Sequence, residues 1–404
     1  MLDDAQSLPI TRRFASRTAI GAVRTAWRPS LNWRLAWRNL AHDRVRLAIT
    51  VVGVTFSVVL MALQLALLIG FAATSSSLID RSQADFWIVP KGTRNVDQSA
   101  DLTERRRYQA LAVPGVASAE QLLVKFLPWK RPDGGVEVVV VVGVDPEHPA
   151  VSPWNFVAGS IASLKTPDGI VIDDLYAKKL GIDRIGETVE INGHRARVAG
   201  FTHGIRAFTQ SPYIFAALKT AQTLADLPAD RSTYVLVRAD RGDDLARLRG
   251  DLGARFPDLD VKTASAFSWQ TRGYWLLTTG AGVALVLAAG LGLIVGVVIV
   301  AQTLYAATVE RLPEYATLRA MGADNSYLHH VILKQSTFGA AIGYALGMLI
   351  TGVTLLLARN SVAALQLPWP VVFLLALVTL LMCSGGAVIS IRKVLHIDPA
   401  MVFK

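Results

Sequence analysis

Across residues 72–272 few side chains are of a type that could carry acid–base or metal chemistry. Asp173 and Asp174 are adjacent carboxylates, and His148, His194 and His203 are the histidines of that stretch. A zinc hydrolase places two histidines on one helix face as His-Glu-x-x-His, and no such spacing occurs. No Gly-x-Ser-x-Gly elbow is present to expose a nucleophilic serine. Asp173-Asp174 instead suits the first turn of a helix, where acidic side chains complement the backbone dipole. Cys383 is the one cysteine, which excludes an intramolecular disulfide and any cysteine-based metal cluster. No Gly-x-x-x-x-Gly-Lys-Ser/Thr loop exists to cradle nucleotide phosphates. The expectation is a chain with no catalytic set, no metal and no cofactor of its own.

A different chemistry, docking, is suggested by the stretch Val309 to Ala323. Pro313 suits the first turn of a helix. From there Leu318 and Met321, three apart, share one face, while Glu314 and Arg319 lie on others. Gly322 fits the residue that follows a helix end. A short amphipathic helix of this kind offers an apolar face to a partner. Residues 31–40 carry a second such pattern. Trp33 and Trp37 recur at helical spacing beside Arg34 and Arg38. Aromatic rings with arginines suit a helix lying in the membrane interface, with lipid as its partner.

The elements that position these segments are apolar. The chain has 404 residues, 52% hydrophobic and 18% charged, with mean hydropathy +0.39. Soluble proteins carry roughly 25% charged residues. Four stretches, Leu47–Phe71, Leu276–Leu304, Val331–Leu357 and Val371–Ile391, each reach the roughly 20 apolar residues that a bilayer requires. A backbone in hydrocarbon must satisfy its own hydrogen bonds, so all four are expected to be helices. No acidic residue, arginine or histidine lies inside any of them, and Lys334 sits in the first turn of the third. An ion-driven carrier would need such a group at mid-membrane. Any energy must therefore come from a partner. Gly292 and Gly296 in the second stretch, and Gly339, Gly343 and Gly347 in the third, have the spacing that lets helices approach closely. That spacing fits a packed bundle or a dimer equally.

Residues 1–46 hold nine arginines against three acidic residues, whereas 72–272 are nearly balanced at 25 basic and 24 acidic. The positive-inside rule then places both termini in the cytoplasm and the 72–272 segment outside. Arginines at the mouth of a span do not call for nucleic acid. No signal-peptide pattern is recognised, so the first span is expected to serve as an anchor. The expected organisation is a cytoplasmic segment over 1–46, a span over 47–71, an external domain over 72–272 and a span over 276–304. A cytoplasmic coupling loop over 305–330, spans over 331–357 and 371–391, and a cytoplasmic tail over 392–404 follow.

The external segment mixes strand and helix signals. Val136–Val144, Arg195–Phe201 and Tyr234–Val237 are expected strands. Asn192-Gly193 predicts a hairpin turn of type I′. Asp85–Pro90 predicts an edge strand. Thr103–Ala112, Asp173–Leu180 and Asp243–Arg255 predict helices. The fold class is thus four membrane helices with a large α+β extracytoplasmic domain, in two lobes, between the first and second.

One span, a large external domain and three further spans, with Glu310, Glu314, Leu318, Arg319, Ala320, Gly322 and Ala323 in the loop, resemble the MacB/FtsX/LolC superfamily of ABC transporter permeases. Ala36 to Leu40 with Arg44 and Arg46 resemble the helix that precedes the family's first span, and Asp398-Pro399-Ala400 its usual ending. Arg105 to Leu111, Trp129-Lys130 and Val142 to Ala150 are most similar to DevC-type permeases. That resemblance implies a homodimer in the bacterial inner membrane, served by a separate DevA-like ATPase that binds ATP and magnesium. It also implies a DevB-like periplasmic adaptor and a TolC-like outer-membrane channel for export of an amphiphilic cargo. Leu312-Pro313 departs from the charged residues that relatives often carry in this loop. Two other roles share the architecture: lipoprotein or lipid extraction of the LolC/LolE kind, and FtsX-like regulation of a cell-wall hydrolase.

Overall fold

Four long helices carry the chain through the apolar stretches. The computed structural model describes residues 44–98, 100–209, 211–310, 313–314, 317, 321 and 325–395. The Trp33, Arg34, Trp37 and Arg38 segment and the Asp398-Pro399-Ala400 tail lie outside these residues.

The helices are α1 (Arg44–Ser75), α2 (Ser77–Asp80), α3 (Arg105–Leu111), α4 (Ala177–Leu180), α5 (Leu218–Leu224), α6 (Leu245–Arg255), α7 (Ala264–Leu277), α8 (Gly280–Glu310), α9 (Asn325–Leu357) and α10 (Trp369–Leu395). Among them α1, α8, α9 and α10 are long and apolar enough to cross a membrane. Their shared core includes Val54, Val58 and Met61 of α1, Val300 and Leu304 of α8, Ala340 of α9, and Leu375 and Cys383 of α10.

Glycine explains why α1 sits at the centre. A Cβ on Gly292 would lie 3.0 Å from Gln64 Cγ, and one on Gly296 would lie 3.0 Å from Met61 Sδ. On α9 a Cβ at Gly339 would lie 3.3 Å from Thr50, at Gly343 2.6 Å from Val54 and at Gly347 2.7 Å from Val58. Both stripes therefore bring α8 and α9 against α1 of the same chain. Thr55 Oγ1 uses the close approach to donate to the Gly343 carbonyl at 3.2 Å. Tyr344 Oη likewise donates to the Val372 carbonyl at 2.7 Å, tying α9 to α10.

Between α1 and α8 the chain forms an α+β domain. Its strands are β1 (Phe86–Pro90), β2 (Leu102–Thr103), β3 (Val116–Lys130), β4 (Val136–Val144), β5 (Phe156–Ala158), β6 (Gly169–Asp173), β7 (Thr188–Ile191), β8 (His194–Thr202), β9 (Tyr213–Ala217), β10 (Arg231–Ser232), β11 (Tyr234–Ala239) and β12 (Leu259–Thr263). The main sheet runs β12-β1-β11-β3-β4-β9-β6-β8-β5, with β7 joining β3 to β8. The 15-residue β3 creates the two lobes. Its first half pairs with β11 and its second half with β4. From β3 the pairing passes through β4, β9, β6, β8 and β7 and returns to β3, so this lobe closes on itself. Closure leaves fewer exposed strand edges.

Asn192 and Gly193 both have positive φ, 51° and 78°, as the turn between β7 and β8 requires. The Asp85–Pro90 expectation needs correction. Phe86–Pro90 is a strand, but it pairs with both β11 and β12 and is not an edge. Phe86, Trp87, Ile88 and Val89 are all fully buried, and β12 takes the outer place.

Candidate functional site

Asp173, Asp174, His194 and His203 all make hydrogen bonds within the domain. Asp173 caps the turn after β6, accepting from the Leu175 N–H at 3.2 Å, the Ile205 N–H at 2.7 Å and Thr202 Oγ1 at 3.1 Å. Burial pushes its carboxyl up, and these donors work against that shift. Asp174 pairs with His203 at 2.8 Å, and His194 pairs with Asp226 at 2.8 Å.

The helices α1 and α8 do not run unbroken into the domain. Each has a joint at the membrane boundary. α1 ends at Ser75, and after Ser76 the chain restarts as α2. α7 ends at Leu277, and Thr278-Thr279 separates it from α8. At the second joint Thr279 Oγ1 donates to the Trp275 carbonyl at 2.6 Å and accepts from the Gly282 N–H at 3.2 Å.

Beyond the joints the two arms are bound together. Asp80 of α2 accepts from Arg272 Nη2 at 2.6 Å and from Ser268 Oγ at 2.6 Å, both on α7. Arg272 Nε reaches back to Ser76 Oγ at 2.7 Å. The pair is partly exposed, so its worth in stability is modest. Asp80→Asn is expected to lower unfolding stability by about 1 kcal/mol, measured by thermal denaturation in detergent.

Below this pair an aromatic seam joins the domain to the spans. Phe208 packs against Trp275 of α7 with its ring tilted by 51° and centroids 4.1 Å apart, and meets Phe71 of α1 edge-on at 5.6 Å. Trp275 Nε1 donates to Asp97 Oδ2 at 3.1 Å. Burial holds the Asp97 carboxyl up at about 7, only partly offset by that indole donor. On the other side, Arg206 of the β8–β9 loop donates through Nε to the Ser361 carbonyl at 3.0 Å and through Nη2 to the Arg359 carbonyl. The segment between α9 and α10 also rests on α1. A Cβ at Gly70 would lie 1.9 Å from the Ala364 carbonyl oxygen, and the Gln366 N–H donates to the Ala66 carbonyl at 3.1 Å.

At the far end of α8 lies the loop with the docking pattern. Glu310 ends α8 and is exposed. Pro313, Glu314 and Thr317 are helical, and the Met321 N–H donates to the Thr317 carbonyl at 3.0 Å, a helical bond. Met321 is 71% exposed. Leu318, Arg319, Ala320 and Gly322 lie outside the described residues. The helix α8 thus has the jointed domain at one end and this exposed turn at the other.

Residues 47–255 match the MacB-like periplasmic core domain, and residues 286–399 match the FtsX-like permease C-terminal domain. The chain belongs to the MacB/FtsX superfamily of ABC transporter permeases. The core-domain match begins inside α1, and the permease match spans most of α8, the loop, α9 and α10. A Mycobacterium tuberculosis protein, the uncharacterized ABC transporter permease Rv0072, is 24% identical over 377 residues, covering 91% of this chain and 98% of that protein. A second from the same species, the uncharacterized ABC transporter permease protein Rv0987, is 25% identical over 339 residues, and this chain spans 37% of its length. The periplasmic region of MacB from Actinobacillus actinomycetemcomitans has a TM-score of 0.37 at 12% identity, covering 47% of this chain and 94% of that one. The extracellular domain of the ABC-type transporter YknZ from Gram-positive bacteria has a TM-score of 0.33 at 14% identity, covering 45% of this chain and 99% of that one.

The sequence alone marks the spans and the loop after α8 of this MacB/FtsX permease, but not the contacts that connect the spans to the domain. Asp80, Asp97, Phe208, Gly70 and Gly282 were not singled out. Tyr274-Trp275 was a usable signal, because aromatic residues gather at membrane boundaries.

Proposed function

We propose that this permease couples ATP hydrolysis on a separate DevA-like ATPase to movement of its external domain, exporting an amphiphilic, lipid-like cargo. The observation that carries the reading is α8 itself. It has an exposed helical turn at one end and the Thr278-Thr279 joint, with the Asp80–Arg272 pair beyond it, at the other. A helix of 31 residues spans about 46 Å at 1.5 Å per residue. Displacement of the 310–321 turn by a closing ATPase would tilt α8 and swing α7, with α2 attached. In this reading the domain faces the periplasm, both termini are cytoplasmic and the membrane is the bacterial inner one. Two copies of the chain, a DevB-like adaptor and a TolC-like channel complete the assembly. The chain itself supplies no catalytic group; ATP and magnesium belong to the partner.

Docking is assigned to the face carrying Leu318 and Met321, with Arg319 beside them as the charged contact and Glu310 and Glu314 at its start. Apolar anchors usually carry most of an interface's energy. The test is Arg319→Glu in the full chain co-expressed with its ATPase. The variant is expected to purify as wild type but to lose the ATPase from pull-down, or to lose stimulation of its hydrolysis. The permease alone is expected to hydrolyse no ATP. Normal pull-down together with normal export by the variant would remove this turn as the contact. Normal complex formation with no cargo leaving reconstituted vesicles would favour a regulator.

A further inference from the structure

Three cavities meet where α1, α9 and the domain come together. The first, about 460 Å³, is polar and holds Arg206, His203, Asn155 and Arg359, with Leu355 and Leu365 on its membrane side. The second, about 440 Å³, is an apolar groove between α1 and α9, lined by Phe56, Val59, Leu63, Leu67, Thr354 and Leu365 among others. Leu365 borders both. A third cavity of about 540 Å³ shares Ala363 with the first and Leu67 with the second. A polar pocket and an apolar groove thus lie on either side of Leu365.

We infer that the pocket and the adjoining groove together bind one anionic, phosphate-bearing membrane lipid, its headgroup between Arg206 and Arg359 and an acyl chain along α1 and α9. Charge complementarity is the first argument. Neither guanidinium has a carboxylate partner within salt-bridge distance among the described residues. Arg206 spends two of its donors on carbonyls of the α9–α10 segment, and that contact holds it beside Arg359. Arg359 takes part in this contact through its backbone carbonyl only, so its exposed side chain stays available. Of the nearby carboxylates, Asp174 is occupied by His203, and Asp173 by the Leu175 and Ile205 N–H groups and Thr202 Oγ1. Guanidinium groups match phosphate oxygens with paired donors.

Depth is the second argument. From Phe56 to Leu67 the groove follows α1 for about 17 Å at 1.5 Å per residue. Half of a bilayer's hydrocarbon core is about 15 Å. The groove therefore runs about the depth of one leaflet, and Leu365 at its edge also lines the pocket that holds the two arginines. A lone arginine at a span end would merely extend its charge to the interface. Here a second arginine arrives from the domain, and a groove lies directly beneath. The site requires only that the four helices cross a bilayer, so it stands apart from the proposed export.

The test uses the full chain in nanodiscs of equal phosphatidylglycerol and phosphatidylcholine, released into mild detergent and weighed by native mass spectrometry. Wild type is expected to retain phosphatidylglycerol in preference to phosphatidylcholine. Arg359→Gln should reduce that preference by about tenfold, the effect of losing one charge-assisted hydrogen bond, while Arg359→Lys keeps part of it. Thr354→Trp should fill the groove and lower retention of both lipids. An excess of inorganic phosphate should displace little lipid. Equal retention of the two lipids by wild type, or an unchanged preference in Arg359→Gln, would overturn the proposal. So would displacement by inorganic phosphate alone, which marks a free-anion site. Loss of a dimer by monodisperse Thr354→Trp with lipid retention unchanged would assign the groove to a second copy instead.

Discussion

Gly282→Ala is expected to destabilise the permease by about 1–3 kcal/mol, the range for overpacking a close contact, while Gly280→Ala should be neutral or slightly stabilising. The two glycines lie two residues apart at the start of α8. A Cβ on Gly282 would lie 1.9 Å from the Trp275 carbonyl oxygen and 2.6 Å from Leu276 Cα. Both obstacles are backbone, so no rotamer change relieves them. The chain would have to open the joint, losing the Thr279 hydroxyl's bonds to Trp275 and Gly282. Gly280 meets nothing within 4 Å, and alanine is the better helix former by about 1 kcal/mol. Thermal denaturation of the two variants in one detergent separates the contact from the general effect of removing glycine. Equal melting temperatures would mean that the joint does not depend on the close approach. If the joint transmits motion, Gly282→Ala should also reduce ATPase-driven transport at temperatures where it remains folded.

The membrane architecture was legible because hydrocarbon leaves the chain few choices. Of the Leu276–Leu304 stretch, Gly280 onward is the spanning helix, the Thr278-Thr279 joint interrupting its start, and the glycines at 292 and 296 marked the face that approaches α1. In the domain, strong local signals survived folding. Val136–Val144 is β4, and Asn192-Gly193 makes its turn. β3 was not legible. Its Glu120 and Gln121 are polar yet buried, and Pro128 interrupts the pattern. The strand serves two lobes whose packing no local window contains. Asp85–Pro90 reads as an edge strand in the sequence, whereas Leu259–Thr263, distant in sequence, covers β1. The joint was hidden for the same reason. Asp80 meets Arg272 across 192 positions, and Trp275 meets Asp97 across 178. In the sequence Asp97 is an ordinary loop aspartate; only burial by other elements changes its chemistry.

That burial makes Asp97 the source of a pH dependence that can be isolated. In the unfolded chain its carboxyl titrates near 3.8, and in the folded protein it is held up at about 7. Between about pH 4 and 7 the folded state therefore keeps a proton that the unfolded state has released. Where the folded state binds more protons, stability falls as pH rises. The contribution is largest below about pH 4, declines as pH rises through 7 and is flat above it. Across that window it amounts to a few kcal/mol, at about 1.4 kcal/mol per pH unit. Glu120 and Asp173 are also pushed up by burial, so the wild-type profile mixes several groups. The difference between wild type and Asp97→Asn removes the others. Asparagine keeps an oxygen that accepts from the Trp275 indole but carries no titrating proton. The variant is expected to match wild type near pH 4 and to exceed it in melting temperature above pH 7. Parallel profiles across this range would place the Asp97 carboxyl at an ordinary pKa. They would also mean that water, not the Phe208–Trp275 seam, surrounds it.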